Sequence, residues 1–138
     1  MTIEETKTWL RSYRYLLKES ERIEEELEYW RSKSERMTRE MSGQPSGSGS
    51  CDKVSASVEK ILEIEEKLSQ KHADLVEQKT QIEAAIDSLP DDTCRLILKL
   101  KYINGNTWEQ IAVKLDCTYR WVLYLHGRAL QSFVKSSL

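Results

Sequence analysis

Thr107-Trp108-Glu109-Gln110-Ile111-Ala112-Val113-Lys114-Leu115-Asp116-Cys117-Thr118-Tyr119-Arg120-Trp121-Val122-Leu123-Tyr124-Leu125-His126-Gly127-Arg128-Ala129-Leu130-Gln131-Ser132-Phe133 decides the fold of this chain. Thr107 stands where its hydroxyl would accept an amide left unpaired at a helix start, and Glu109 with Gln110 suits the positive end of that helix. Ile111, Ala112 and Leu115 share one helical stripe, and Asp116 with Cys117 makes a turn. Thr118 offers a second N-cap, after which Val122, Leu125, Ala129 and Phe133 recur at three- and four-residue steps. The pattern predicts a short helix over about residues 108–115 and a longer one over about residues 119–134.

The outer face of the second helix carries Tyr119, Arg120, Leu123, Tyr124 and Arg128, and no acidic residue occurs from Tyr119 to Leu138. Such a face suits a polyanion, because each phosphate it neutralises releases condensed counterions. Two amphipathic helices of this length also build ordinary helical hairpins, so the pattern by itself leaves nucleic-acid binding and plain packing both open.

Thr107-Trp108-Glu109-Gln110-Ile111-Ala112, the Asp116-Cys117-Thr118 turn and Val122-x-x-Leu125-His126-x-Arg128-Ala129-Leu130 resemble the helix-turn-helix of region 4 of sigma-70 factors. Upstream, Leu89-Pro90-Asp91-Asp92 and the run from Ile97 to Gly105 resemble the helix that precedes that motif. The likeness covers about the last third of the chain. The arrangement of the whole chain, two charged helical stretches and then this motif, resembles short phage-encoded sigma-like regulators of the ArpU/RinA type. These are taken to be activators of late phage genes. The resemblance implies a sequence-specific transcriptional regulator in the cytoplasm of a bacterial host cell, with double-stranded DNA and RNA polymerase as partners. Carried over by position, Tyr119, Arg120, Leu123 and Tyr124 face the major groove, and Lys114, Thr118, His126 and Arg128 contact phosphate. Arg120 is the expected base reader, by bidentate donation to guanine. This set is poorer in charged and amide side chains than is usual for sigma factors, so the -35 promoter element is not implied.

The rest of the chain is charged helix. Of its 138 residues, 39% are apolar and 32% charged, which fits one or two small helical domains. Residues 1–89 hold 14 basic and 19 acidic side chains, and residues 90–138 hold 7 and 4, so only the C-terminal part attracts nucleic acid. No run is apolar enough to span a bilayer and the N-terminus has no signal-peptide pattern, so a cytoplasmic protein without membrane contact is expected. Cys51, Cys94 and Cys117 are widely spaced and form no Cys-x-x-Cys, so neither a metal site nor a cofactor is expected.

The expected fold is all-α: a coiled-coil helix over residues 1–41, a Gly/Ser/Pro loop over 42–51, a second coiled-coil helix over 52–89, and a region-4-like DNA-binding module over 90–138. In the first helix Trp9, Leu16, Ile23, Trp30 and Met37 recur every seventh residue, with Tyr13, Ser20, Leu27, Ser34 and Met41 four residues later. In the second, Val54, Ile61, Leu68, Leu75, Ile82 and Leu89 form one series and Val58, Glu65, His72, Lys79 and Ile86 its companion. Glu65, His72 and Lys79 are expected at an edge or opposite charges, since burying them unpaired would cost several kcal/mol. The seams allow either an intramolecular hairpin or a homodimer, whose recognition helices would sit one DNA turn (~34 Å) apart.

The third helix, over about residues 91–103, is expected to start with Pro90 in its first turn and to bury Leu96, Ile97, Leu100 and Ile103. Trp108 is expected to pack near it. Two other readings stay open: an adaptor whose coiled coil binds RNA polymerase or another phage protein, and a small-terminase-like subunit that recognises DNA for packaging. No catalytic constellation occurs, so an enzyme is not expected.

Overall fold

The structure, a computed structural model, describes the backbone of residues 1–42 and 48–136. Among these are five α-helices and a π-helical segment, and no strand: α1 (Ile3–Ser42), α2 (Ser48–Asp87), α3 (Asp92–Leu98), the π-helical segment (Lys99–Ile103), α4 (Trp108–Lys114) and α5 (Tyr119–Ser136). The protein is all-α. The core of the expected loop, residues 43–47, lies outside the described residues, as do the side chains of Met41 and Cys51. No described helix is long and apolar enough to cross a membrane.

The chain packs as two units, Met1–Leu17 with Leu75–Leu138, and Lys18–Asp74. In the second, the middle of α1 and that of α2 run antiparallel, with Glu24 meeting His72 at 3.2 Å and Arg31 meeting Glu65 at 3.1 Å. The two long helices therefore pair within one chain. The core here is thin: Ile23, Leu27 and Ile64 are buried, with Trp30, Ile61 and Leu68 packed against them. Each fully buried aliphatic side chain contributes about 1.5–3 kcal/mol, whereas exposed ion pairs add ~0–1 kcal/mol.

The companion series on α2 holds at Ile86, which is buried, but in the first half of the helix the buried positions fall one residue earlier than expected. Ser57 and Ile64 are buried, while Val58 is 44% exposed and His72 and Lys79 are exposed. A helix turn of 3.6 residues places positions three and four ahead of Ile61 on either side of its axis, and the partner helix covers the three-ahead side. Glu65 and His72 consequently lie at the edge and face charges on α1, and Lys79 approaches Glu83 of its own helix at 3.9 Å.

In the other unit the ends of α1 and α2 pack with the C-terminal helices. Leu10, Tyr13, Leu75, Ile82, Ile86, Leu89, Cys94, Leu98, Tyr102, Ala129, Leu130 and Phe133 form one core. Here α1 buries Leu10 as well as the seam residue Tyr13, because α5 covers an extra strip of it, with Trp9 and Phe133 rings 5.8 Å apart. Thr2 opens α1 with a reciprocal cap, its hydroxyl accepting from Glu5 N–H while Glu5 accepts from Thr2 N–H.

Asp91 caps α3, its carboxylate accepting from the amides of Thr93 and Cys94 at 2.8 and 3.2 Å, so Pro90 precedes the cap instead of sitting in the first turn. The helix then widens. Asn104 N–H reaches back five residues to the Lys99 carbonyl at 2.9 Å. With more residues per turn, Leu98 and Tyr102, four apart, point to the same core, while Leu96 is 45% exposed and Leu100 and Ile103 are half-buried. Gly105 ends the segment at φ 72°, where an added Cβ would overlap the Arg14 guanidinium. Arg14 there donates to the Ile103 carbonyl at 3.2 Å.

Candidate nucleic-acid interface

Thr107 starts α4 with a capping box, its hydroxyl accepting from Gln110 N–H at 3.2 Å and its own N–H donating to Gln110 Oε1 at 2.9 Å. Ile111 and Ala112 point inward to meet Ile97 and Val122, with Leu100, Trp108, Leu115, Cys117 and Leu125 around them. This small core sets the angle between α4 and α5. The connection between them bends at Asp116, whose φ of 53° is left-handed, and Cys117 N–H returns to the Ala112 carbonyl at 3.0 Å.

Thr118 accepts from Trp121 N–H at 3.1 Å and so caps α5. The helix buries Val122, His126, Ala129, Leu130 and Phe133, with Leu125 half-buried. Its opposite face presents Tyr119, Arg120, Leu123, Tyr124 and Arg128 to solvent. Lys114 is exposed on α4 and donates to Asn106 Oδ1 at 3.0 Å. Seven of the eight expected contact residues therefore lie at the surface: Lys114 on α4, Thr118 at the turn and the other five on the outer face of α5.

His126 is the exception. It is 8% exposed, its Nε2 lies 2.7 Å from Tyr102 Oη, and Trp108 packs edge-on to its ring at 4.5 Å. Burial, with Lys7, Lys101 and Arg11 nearby, lowers its pKa to about 4. Enclosed by Trp108 and bonded to Tyr102, the ring does not reach the surface, so the expected phosphate contact at His126 is corrected to a packing and hydrogen-bonding role. Burial also raises the Tyr102 phenol to about 12 and lowers the Lys101 ammonium, which rests 4.4 Å from the Trp108 ring.

Trp121 was not among the expected residues. It is 49% exposed and stacks on Tyr124, with ring centroids 4.9 Å apart and planes 26° from parallel. The three-residue spacing of the two aromatics is the signal that would have marked it, since such pairs are neighbours on a helix. Val113 on α4 is 81% exposed. The surface is thus aromatic with scattered positive charge. Among the described residues no cluster of His, Cys, Asp or Glu could hold a metal ion.

The family model described as a protein of unknown function, DUF1492, matches residues 34–132. The chain belongs to the DUF1492 family. No curated protein and no solved structure matches it.

Proposed function

We propose that the chain is a sequence-specific DNA-binding transcriptional regulator, a phage sigma-like activator of late genes that acts with RNA polymerase. In this reading α4, the turn and α5 form a helix-turn-helix, and the paired α1 and α2 are an intramolecular coiled coil. One observation carries it: the first two turns of α5, capped by Thr118, turn Tyr119, Arg120, Leu123 and Tyr124 to solvent on a helix that has no carboxylate. A helix N-terminus of this kind enters the major groove, where Arg120 would donate to guanine O6 and N7 and Leu123 would touch thymine methyls. Lys114, Thr118 and Arg128 would hold the phosphates.

The test is binding of the full chain to fragments upstream of late phage genes at two salt concentrations, with Arg120→Ala alongside. Salt-sensitive binding whose sequence preference disappears in Arg120→Ala is expected. A bidentate guanine contact is worth ~1–3 kcal/mol of discrimination. Binding indifferent to sequence and to Arg120 would overturn the reading.

The exposure of Val113, Tyr119, Trp121, Leu123 and Tyr124 favours a second reading, an adaptor that meets RNA polymerase or another phage protein through this apolar surface. In that case Leu123→Asp abolishes capture of polymerase while Arg120→Ala leaves it unchanged.

A further inference from the structure

Trp121 and Tyr124 stand three residues apart on α5 and stack with ring centroids 4.9 Å apart and planes 26° from parallel. Each ring therefore uses one face against the other. Trp121 is nevertheless 49% exposed and Tyr124 52%, so the second face of each is open to water. Aromatic rings carry a large apolar area, and two wet ring faces forgo the stabilisation that burial would give.

Charge frames this stack. Arg120 lies four residues before Tyr124 and Arg128 four after it, so one helical face carries a guanidinium on either side of the rings. Both arginines are exposed, and α5 has no acidic residue. Rings alone would match an apolar protein surface, whereas rings flanked by cations match a chain that carries a phosphate beside each flat apolar group. That is the chemistry of a nucleic-acid strand. In a closed duplex the bases stack on one another and show only their edges in the groove, which suits Arg120. The open ring face can be used only by a base that has left its stack.

We infer that the Trp121–Tyr124 pair is a stacking platform for an unpaired DNA base, with Arg128 holding the adjoining phosphate. This rests on the DNA-binding reading and adds the state of the DNA, a strand opened at the site, which contacts to base edges do not require. Trp121 stands about 100° around α5 from Arg120, so the platform lies at the flank of the base-reading set and shares Tyr124 with it.

Fluorescence anisotropy of labelled oligonucleotides titrated with the full chain tests this. The probes are a single strand of twelve thymidines, an abasic strand of the same length, and the thymidine strand paired with twelve deoxyadenosines. Trp121→Ala and Trp121→Phe are the variants, with unfolding midpoints measured alongside. The thymidine strand should bind at least about fivefold more tightly than the abasic one, the lower end of what one stacked base adds. Phosphates are equal in the two, so charge alone predicts equal binding. Trp121→Ala should remove the difference and Trp121→Phe should keep most of it, while neither shifts the midpoint much, since the side chain is exposed. On the paired strand Trp121→Ala should change little. Equal binding of thymidine and abasic strands, an unchanged difference in Trp121→Ala, or the same loss on the paired strand would each overturn the inference. Loss of polymerase capture in Trp121→Ala with the strand preference intact would give the pair to a protein surface and overturn it as well. If these failures occur while late-gene fragments still show the Arg120-dependent preference, the platform alone falls; no binding of any DNA removes both readings.

Discussion

Tyr102 Oη lies 2.7 Å from His126 Nε2 in the interior, joining the π-helical segment to α5. The phenol keeps its proton, with a pKa near 12, and the imidazole stays neutral, so this is a hydrogen bond between two uncharged groups whose direction the His126 tautomer sets. Removing the phenol oxygen leaves a buried ring nitrogen unpaired in either tautomer. Tyr102→Phe should therefore cost about 1–3 kcal/mol in urea unfolding, whereas exposed Arg120→Ala should change stability by less than ~0.5 kcal/mol. Equal effects of the two changes would refute a structural role for the pair.

The same histidine sets a pH dependence. In the unfolded chain it gains a proton near its ordinary 6.5, but in the folded protein only near 4. Between those values the unfolded state binds the extra proton, so stability falls as pH falls. The contribution is complete above about pH 6.5 and amounts to at most ~3 kcal/mol. Unfolding curves at pH 7.5 and 4.5 should separate more for the natural chain than for His126→Gln. Parallel losses in both proteins would show that other groups carry the acid sensitivity.

Gly105 and Arg14 form a coupled pair. Gly105→Ala must place a Cβ at φ 72° and push aside the guanidinium that donates to Ile103. The backbone term is about 1 kcal/mol and the lost hydrogen bond adds a similar amount. In an Arg14→Ala background only the backbone term should remain. A double-mutant cycle reads the difference, and additive effects would mean that Arg14 moves aside without loss.

Two positions in and after the turn should tolerate improvement. Asp116 adopts a left-handed conformation that glycine enters freely, so Asp116→Gly should raise stability slightly, while Asp116→Val should lower it by ~1 kcal/mol or more. Gly127 lies inside α5 with open space around its Cβ position, so Gly127→Ala should add about 0.5–1 kcal/mol. Thermal unfolding of the three variants gives the order directly.

If α5 lies in the groove, Lys114→Ala and Arg128→Ala should weaken binding to all DNA sequences alike. Each should reduce the slope of log affinity against log salt by about 1. Loss of sequence preference in either variant would instead move it to the base-reading set. Enclosed His126 should not contribute to that slope.

The features legible in the residues alone are local. Thr107 and Thr118 identify helix starts because a cap is made with amides two or three residues away. The alternation of Val122, Ala129 and Phe133 with Arg120, Leu123 and Tyr124 separates an inner from an outer face, because one helical period contains both. The seven-residue series of α1 and α2 likewise announces two helices that bury a stripe.

Which side of each stripe is covered was decided by the tertiary structure. Glu65 was legible as an edge position from its charge, but Ile64 is buried beside it because α1 lies on one side of α2, a choice that a seven-residue repeat leaves open. Leu10 is buried because a third helix reaches α1 there. His126 is polar and sits within a basic, aromatic helix, so sequence placed it with the phosphate contacts. Only the widened turn at Lys99–Ile103, which carries Tyr102 to within hydrogen-bond distance, makes its burial favourable, because a buried imidazole needs a partner from outside its own helix.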